Sequence, residues 1–202
     1  MNSNDQVITT SNGYRIEIAY DQFASDPRDP REFCNLGVMV CFHGRHDLIN
    51  EVPSIDHRDF SGWAAMEKHI KKAHDTAIIL PIYLMDHSSI SLSTMPYGCP
   101  WDSGQVGFIF VSKEALRAEF GVKRLNKEIR EEGETALRAE VRAYSEYVKG
   151  ETYCVLVHNA DGESEEYASG FYGYNHEESG AAECMRQFIK TFGAEEGMKL
   201  AA

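Results

Sequence analysis

The sequence predicts an α+β fold: a mostly antiparallel sheet packed against two to four helices, including one long helix near residues 124–149. Three observations predict it. Short apolar or alternating runs rich in β-formers dominate the first half of the chain and return after residue 150. Stretches with an apolar period of three to four residues lie among them, without the regular βα alternation of a parallel fold. At 202 residues, 43% hydrophobic and 11% aromatic, the chain can bury a core without a metal or disulfide. The organisation read from this pattern is a flexible tail over 1–12 and a single globular domain over 13–202.

Taken in order, residues 14–20 alternate apolar and polar with period two, a half-buried strand. Residues 21–32 carry Asp26-Pro27 and Asp29-Pro30 and read as a loop. The run 36–42 is a buried strand, and Trp63, Met66, Ile70 and Ala73 mark an amphipathic helix within 59–75, capped by Asp59 or Ser61. Residues 76–84 form a strand whose Pro81 places it at an edge or at a bulge. Residues 89–93 suit the return arm of a hairpin, and 107–111 a further buried strand. Ser112 caps a helix over 113–120 that Gly121 stops. The long helix follows, supported by a Glu134–Arg138 pair, with Gly133 a point where it could break and Gly150 its end. A hairpin spans 152–172 with its turn at 160–163, and a last helix over 177–192 turns Ala181, Met185, Phe188 and Phe192 inward.

The formal charge of −12, from 20 basic and 32 acidic side chains, argues against direct nucleic-acid binding, which needs Lys and Arg to neutralise phosphates. It favours partners with a basic surface. Five scattered cysteines with no C-x-x-C pair (Cys34, Cys41, Cys99, Cys154, Cys184) suit reduced thiols. No apolar run nears membrane-spanning length, and the polar N-terminal stretch lacks signal-peptide character. The expected location is cytoplasmic.

Chemistry concentrates in 83–88 and 95–107, where Asp86, His87, Cys99, Asp102 and Ser103 lie between strands. Asp86 could orient an imidazole, with Cys99 or Ser103 as nucleophile. Neighbours on a strand point to opposite faces, however, which keeps Asp86 and His87 from pairing. The same residues equally suit a rigid turn anchored by Trp101, so no catalytic residue is assigned. His43, His46 and His57 are the candidate metal ligands, but their spacing matches no established site, and neither metal nor cofactor is assigned. Gly170-Phe171-Tyr172-Gly173-Tyr174 lacks the strand–loop–helix context of a phosphate cradle and reads as a bulge or tight turn. The acidic runs at Glu128, Glu131, Glu132 and Glu134, and at Glu163, Glu165 and Glu166, are the candidate partner contacts.

Residues 35–43, 83–88 and above all Cys99-Pro100-Trp101-Asp102-Ser103-Gly104-Gln105-Val106-Gly107 resemble a family of small acidic proteins from bacteriophages and bacterial mobile elements. The likeness spans roughly Tyr14 to Tyr174. It departs where the family pattern has Asp before Asn-Leu-Gly and this chain has Cys34. The resemblance carries over no catalytic residue, but it implies a setting in a bacterial host cell. The function expected from charge and setting is an accessory protein that binds a host complex with a basic surface, possible targets being nucleic-acid-handling or defence complexes, and inhibits or modulates it. One alternative is a small hydrolase or transferase using Asp86, His87, Cys99 and Asp102. The other is a homo-oligomeric structural protein joined through the exposed face of the long helix around Leu137 to Val148.

Overall fold

The computed structural model describes residues 7–9, 14–159, 163–192 and 199–200. It has the α+β class, the antiparallel pairing and the long helix expected above, with the strands divided between two sheets. The chain forms two compact units, one from 1–26 and 150–202 and the other from 27–149.

The first unit holds a five-stranded antiparallel sheet. Strand β1 (Val7–Thr9) pairs with β2 (Arg15–Tyr20), so part of the stretch read as a loose tail stands in the sheet. The remaining strands of this sheet are β7 (Thr152–His158), β8 (Ser164–Tyr172) and β9 (Lys199–Leu200), in the order β8-β7-β2-β1-β9. Period-two alternation on β2 and β7 puts Ile16, Ile18, Val155 and Val157 on one face. There they pack against Ala181, Met185 and Phe188 of helix α5 (Ala181–Phe192). The expected helix over 177–192 is two elements. The single turn α4 (His176–Ser179), capped by Asn175, ends at Gly180, whose φ of 87° a glycine adopts without steric cost. Most of the hairpin turn at 160–163, and the side chain of Phe192, lie outside the described residues.

The second unit is a four-stranded antiparallel sheet with a helix on each face. Its strands are β3 (Val38–Cys41), β4 (Thr76–His87), β5 (Ser89–Ser93) and β6 (Ser103–Ser112), in the order β3-β6-β4-β5. On one face Val40, Phe108 and Phe110 pack on Met66 and Ile70 of α1 (Trp63–Ala73). On the other, Met39, Ile82, Leu84 and Ile109 pack on Leu137, Val141 and Tyr144 of α3 (Lys127–Lys149) and on Leu116 of α2 (Lys113–Glu119). Burial on both faces is why β6 reads as an unbroken apolar run. Pro81 lies beyond the span of β5, which pairs only with Tyr83–His87, so β4 has a single neighbour there.

Helix starts follow local chemistry. Ser112 Oγ accepts from Ala115 N at 3.1 Å, and Asn126 Oδ1 accepts from Ile129 N at 2.9 Å to start α3. Helix α1 starts at Gly62 without a side-chain cap; Asp59 instead ends a short 3-10 turn, His57–Asp59, that Asp56 caps. Helix α3 is not broken at Gly133. A Cβ there would lie 2.7 Å from Leu116 Cδ1 and 2.9 Å from Ile78 Cδ1, so the glycine admits a close helix–sheet approach at the cost of helix propensity.

Candidate functional site

The C-terminal ends of β3 and β4 and the start of β6 meet at one end of the four-stranded sheet. The sheet thereby joins the two clusters singled out in the sequence. The loop after β3 supplies His43, Arg45 and His46, and the end of β4 supplies Asp86. Arg45 Nη2 donates to Asp86 Oδ2 at 2.7 Å, and His46 Nε2 lies 2.9 Å from the same oxygen. His43 stacks on His46 with ring centroids 4.8 Å apart. Its Nδ1 accepts from the backbone N–H of Arg45 at 3.3 Å and of His46 at 3.2 Å, which requires that nitrogen to be unprotonated. Burial lowers the His43 pKa, as do the neighbouring His46 and Arg45, against an opposing pull from Asp86. The His46 hydrogen bond lowers the Asp86 pKa, burial opposes it, and the Arg45 charge adds to the lowering.

His87 does not pair with Asp86; successive strand side chains diverge, as the two-residue period requires. Instead His87 Nδ1 lies 3.6 Å from Asp102 Oδ2, and Cys99 Sγ donates to that same oxygen at 3.4 Å. Asp86 N donates to Asp102 O at 2.8 Å, and Ser103 Oγ donates to the Cys99 carbonyl, so the segment closes into a rigid turn. Trp101 does not anchor that turn; it projects into solvent, 91% exposed. A nucleophile needs its base within hydrogen-bond reach and the carboxylate behind the base. Here the carboxylate stands between thiol and imidazole, and the Ser103 hydroxyl is committed to the turn. The arrangement orders a loop and assembles no relay.

As a metal site the histidines diverge. His43 and His46 spend ring nitrogens on backbone and Asp86, while His57 packs on Phe42 at 5.1 Å and lies 3.5 Å from Asp56. Among the described residues no group of three His, Cys, Asp or Glu is arranged to hold a metal ion.

The acidic residues of α3 sit among bases. Lys127 lies 3.5 Å from Glu131, and Arg138 donates to Glu134 at 2.6 Å. Glu128 and Glu132 are exposed, yet residues 123–138 hold five basic side chains against four acidic ones, so this stretch is not a negative patch. Glu163 is exposed and bonded to Asn159, whose Nδ2 donates to it at 3.0 Å; the side chains of Glu165 and Glu166 lie outside the described residues. The apolar stripe of α3, Leu137, Val141 and Tyr144, is buried against its own sheet, so a second copy would have to meet the opposite, exposed face of the helix.

The charge is divided unequally between the units. The 27–149 unit has 18 acidic and 16 basic side chains, net −2; the 1–26 and 150–202 unit has 14 and 4, net −10. Among the described residues, the latter also has five of the seven exposed large hydrophobic side chains: Tyr14, Tyr20, Phe23, Tyr167 and Tyr174. The signal for this was in the sequence, but only the topology, which joins both chain ends in one sheet, shows the acids to belong together.

Sequence reading also missed a buried ion network. The Arg28 side chain, 1% exposed, donates to Glu51 Oε2 at 2.7 Å, Glu140 Oε2 at 2.6 Å and the Gly37 carbonyl at 2.6 Å. Glu140 further accepts from Leu36 N at 2.7 Å, and Glu51 accepts from Met39 N. Burial alone would lower the Arg28 pKa, but Glu51 and Glu140 outweigh it and the pKa stands raised. These partners are backbone or countercharge, which makes the network a structural clamp. No helix among the described residues is long and apolar enough to cross a membrane. Comparisons with protein-family models, with curated proteins and with solved structures find no match.

Proposed function

We propose that this chain is a bacteriophage or mobile-element accessory protein whose acidic unit, 1–26 with 150–202, binds a basic surface on a host protein complex and inhibits or modulates it. The observation that carries this reading is the segregation of charge, net −10 on that unit against net −2 on the other. A concentrated field steers and selects a basic partner in a way that evenly scattered carboxylates do not. A surface that serves only solubility needs charge but no exposed aromatics, and this unit carries both. A groove that ordinarily holds nucleic acid is a fitting target, since it is lined with the cations such a surface complements. The hydrolase or transferase alternative has less support, because Cys99 and His87 lean on one carboxylate from separate sides.

The test is a pulldown from bacterial host lysate with the tagged full chain and two double variants. Glu163→Gln with Glu178→Gln removes exposed charge from the acidic unit; Glu128→Gln with Glu132→Gln removes as much from α3. A partner retained at low salt, released at moderate salt and weakened only by the first pair supports the reading. Retention indifferent to salt and to both pairs, or no retained partner at all, sinks it.

A further inference from the structure

We propose that one end of the five-stranded sheet is a receptor for an arginine side chain of the partner. This rests on the acidic unit being the binding face and adds what it recognises. Strand register gathers the residues: Tyr20 at the end of β2 is opposite Tyr153 on β7, which is opposite Phe171 on β8. The rings of Tyr20 and Tyr153 are 4.8 Å apart and tilted by 30°, and buried His176 meets Tyr153 edge-on at 4.7 Å. Tyr20 is therefore backed by packed rings while 49% exposed.

Phe23, three residues further on, is 93% exposed although its backbone is fixed. Buried Asp21 accepts from Phe23 N at 2.9 Å, and its own N–H donates to Thr152 O at 2.9 Å. Thr152 Oγ1 returns a bond to Asp21 O at 3.0 Å, and the Tyr172 hydroxyl holds Ser25 O at 2.8 Å. Tyr174, 64% exposed, follows Gly173, whose N–H donates to Glu151 O at 2.8 Å. The Glu151 carboxylate receives the Tyr153 hydroxyl on Oε2 at 2.8 Å. Open aromatic faces and a carboxylate thus stand at one end of the sheet of a unit whose net charge is −10.

The chemistry selects the ligand. A guanidinium stacks flat on aromatic rings and forks to a carboxylate, and it sheds water more readily than an ammonium. An apolar side chain would use the rings but bring no positive charge to complement the carboxylate. A nucleic-acid base would stack, but its phosphates would face the acidic field. The backbone bonds around Asp21 hold Phe23 in place before binding, so little ordering entropy is lost on contact.

The experiment is calorimetric titration of the full chain with nona-arginine and with nona-lysine at low salt, so that total charge is matched. The expected result is tighter binding of nona-arginine by about fivefold. Tyr20→Ala and Phe23→Ala should each reduce that preference and leave nona-lysine binding unchanged, and Tyr20→Phe should keep it. Phe23→Ala separates a lost contact from a lost fold, because that side chain packs on almost nothing. Equal affinity for the two peptides, or a preference that survives both alanine variants, overturns this inference and leaves the acidic-unit reading standing. Failure of both peptides to bind at low salt overturns the two together.

Discussion

Replacing Arg28 by Met removes the cation that bridges Glu51 and Glu140 in the buried clamp while keeping an unbranched side chain. The wild-type guanidinium is nearly dry, at 1% exposure, and its two carboxylates keep 23% and 15%. Breaking a fully buried pair from one side costs about 3–5 kcal/mol, because the remaining charge is left uncompensated. Water reaches both carboxylates in part, and each retains backbone N–H donors, which places the expected loss near the lower end, about 3 kcal/mol. At roughly 2–4 °C per kcal/mol for a chain of this size, the midpoint falls by about 6–12 °C. Trp63 and Trp101, the two tryptophans of the chain, both lie in the 27–149 unit, so urea unfolding followed by tryptophan fluorescence reports on that unit. Part of the loss comes from the charge left stranded on Glu51 and Glu140. Adding Glu140→Gln to Arg28→Met should recover part of it. A loss below about 1 kcal/mol would refute the reasoning, because that is the worth of a solvated surface pair.

Two further outcomes follow from the same structure. Gly107→Ala should destabilise the 27–149 unit by at least about 3 kcal/mol in the same urea assay, because the added Cβ would lie 2.0 Å from the Val40 carbonyl and 2.8 Å from Cys41 Cα, backbone that cannot rotate away. His43 should titrate below its ordinary 6.5, observed by imidazole nitrogen NMR, with Nδ1 as the acceptor nitrogen. Between that lowered value and 6.5 the unfolded chain binds more protons than the folded one, so this residue's contribution is full above 6.5 and is lost as pH falls through the window. A His43 that titrates at or above 6.5 would show that the two backbone bonds do not form.

The sequence alone determined the elements and the class. Period-two and period-3.6 apolar patterns located β2 to β8 and α1, α2 and α3 because each side chain's burial is set by which face of its own element it occupies. Local punctuation did the same for Ser112, Gly121 and Gly150, since caps and positive φ are properties of a few adjacent residues. It located the Asp86 to Ser103 segment as chemically dense, and the two-residue strand period separated Asp86 from His87 in advance. What only the tertiary structure decided depends on residues far apart in the chain. Arg28 reads as a charged loop residue until Glu51 and Glu140, 23 and 112 positions away, close around it. Gly133 reads as a break until Leu116 and Ile78 occupy the space a side chain would need. The acidic runs on α3 read as a negative patch until helical neighbours neutralise them, while the true excess emerges only when residues 1–26 and 150–202 fold as one unit. Composition counts charges and periodicity assigns faces, but a surface is made by strand pairing across the whole chain, and no local pattern encodes that pairing.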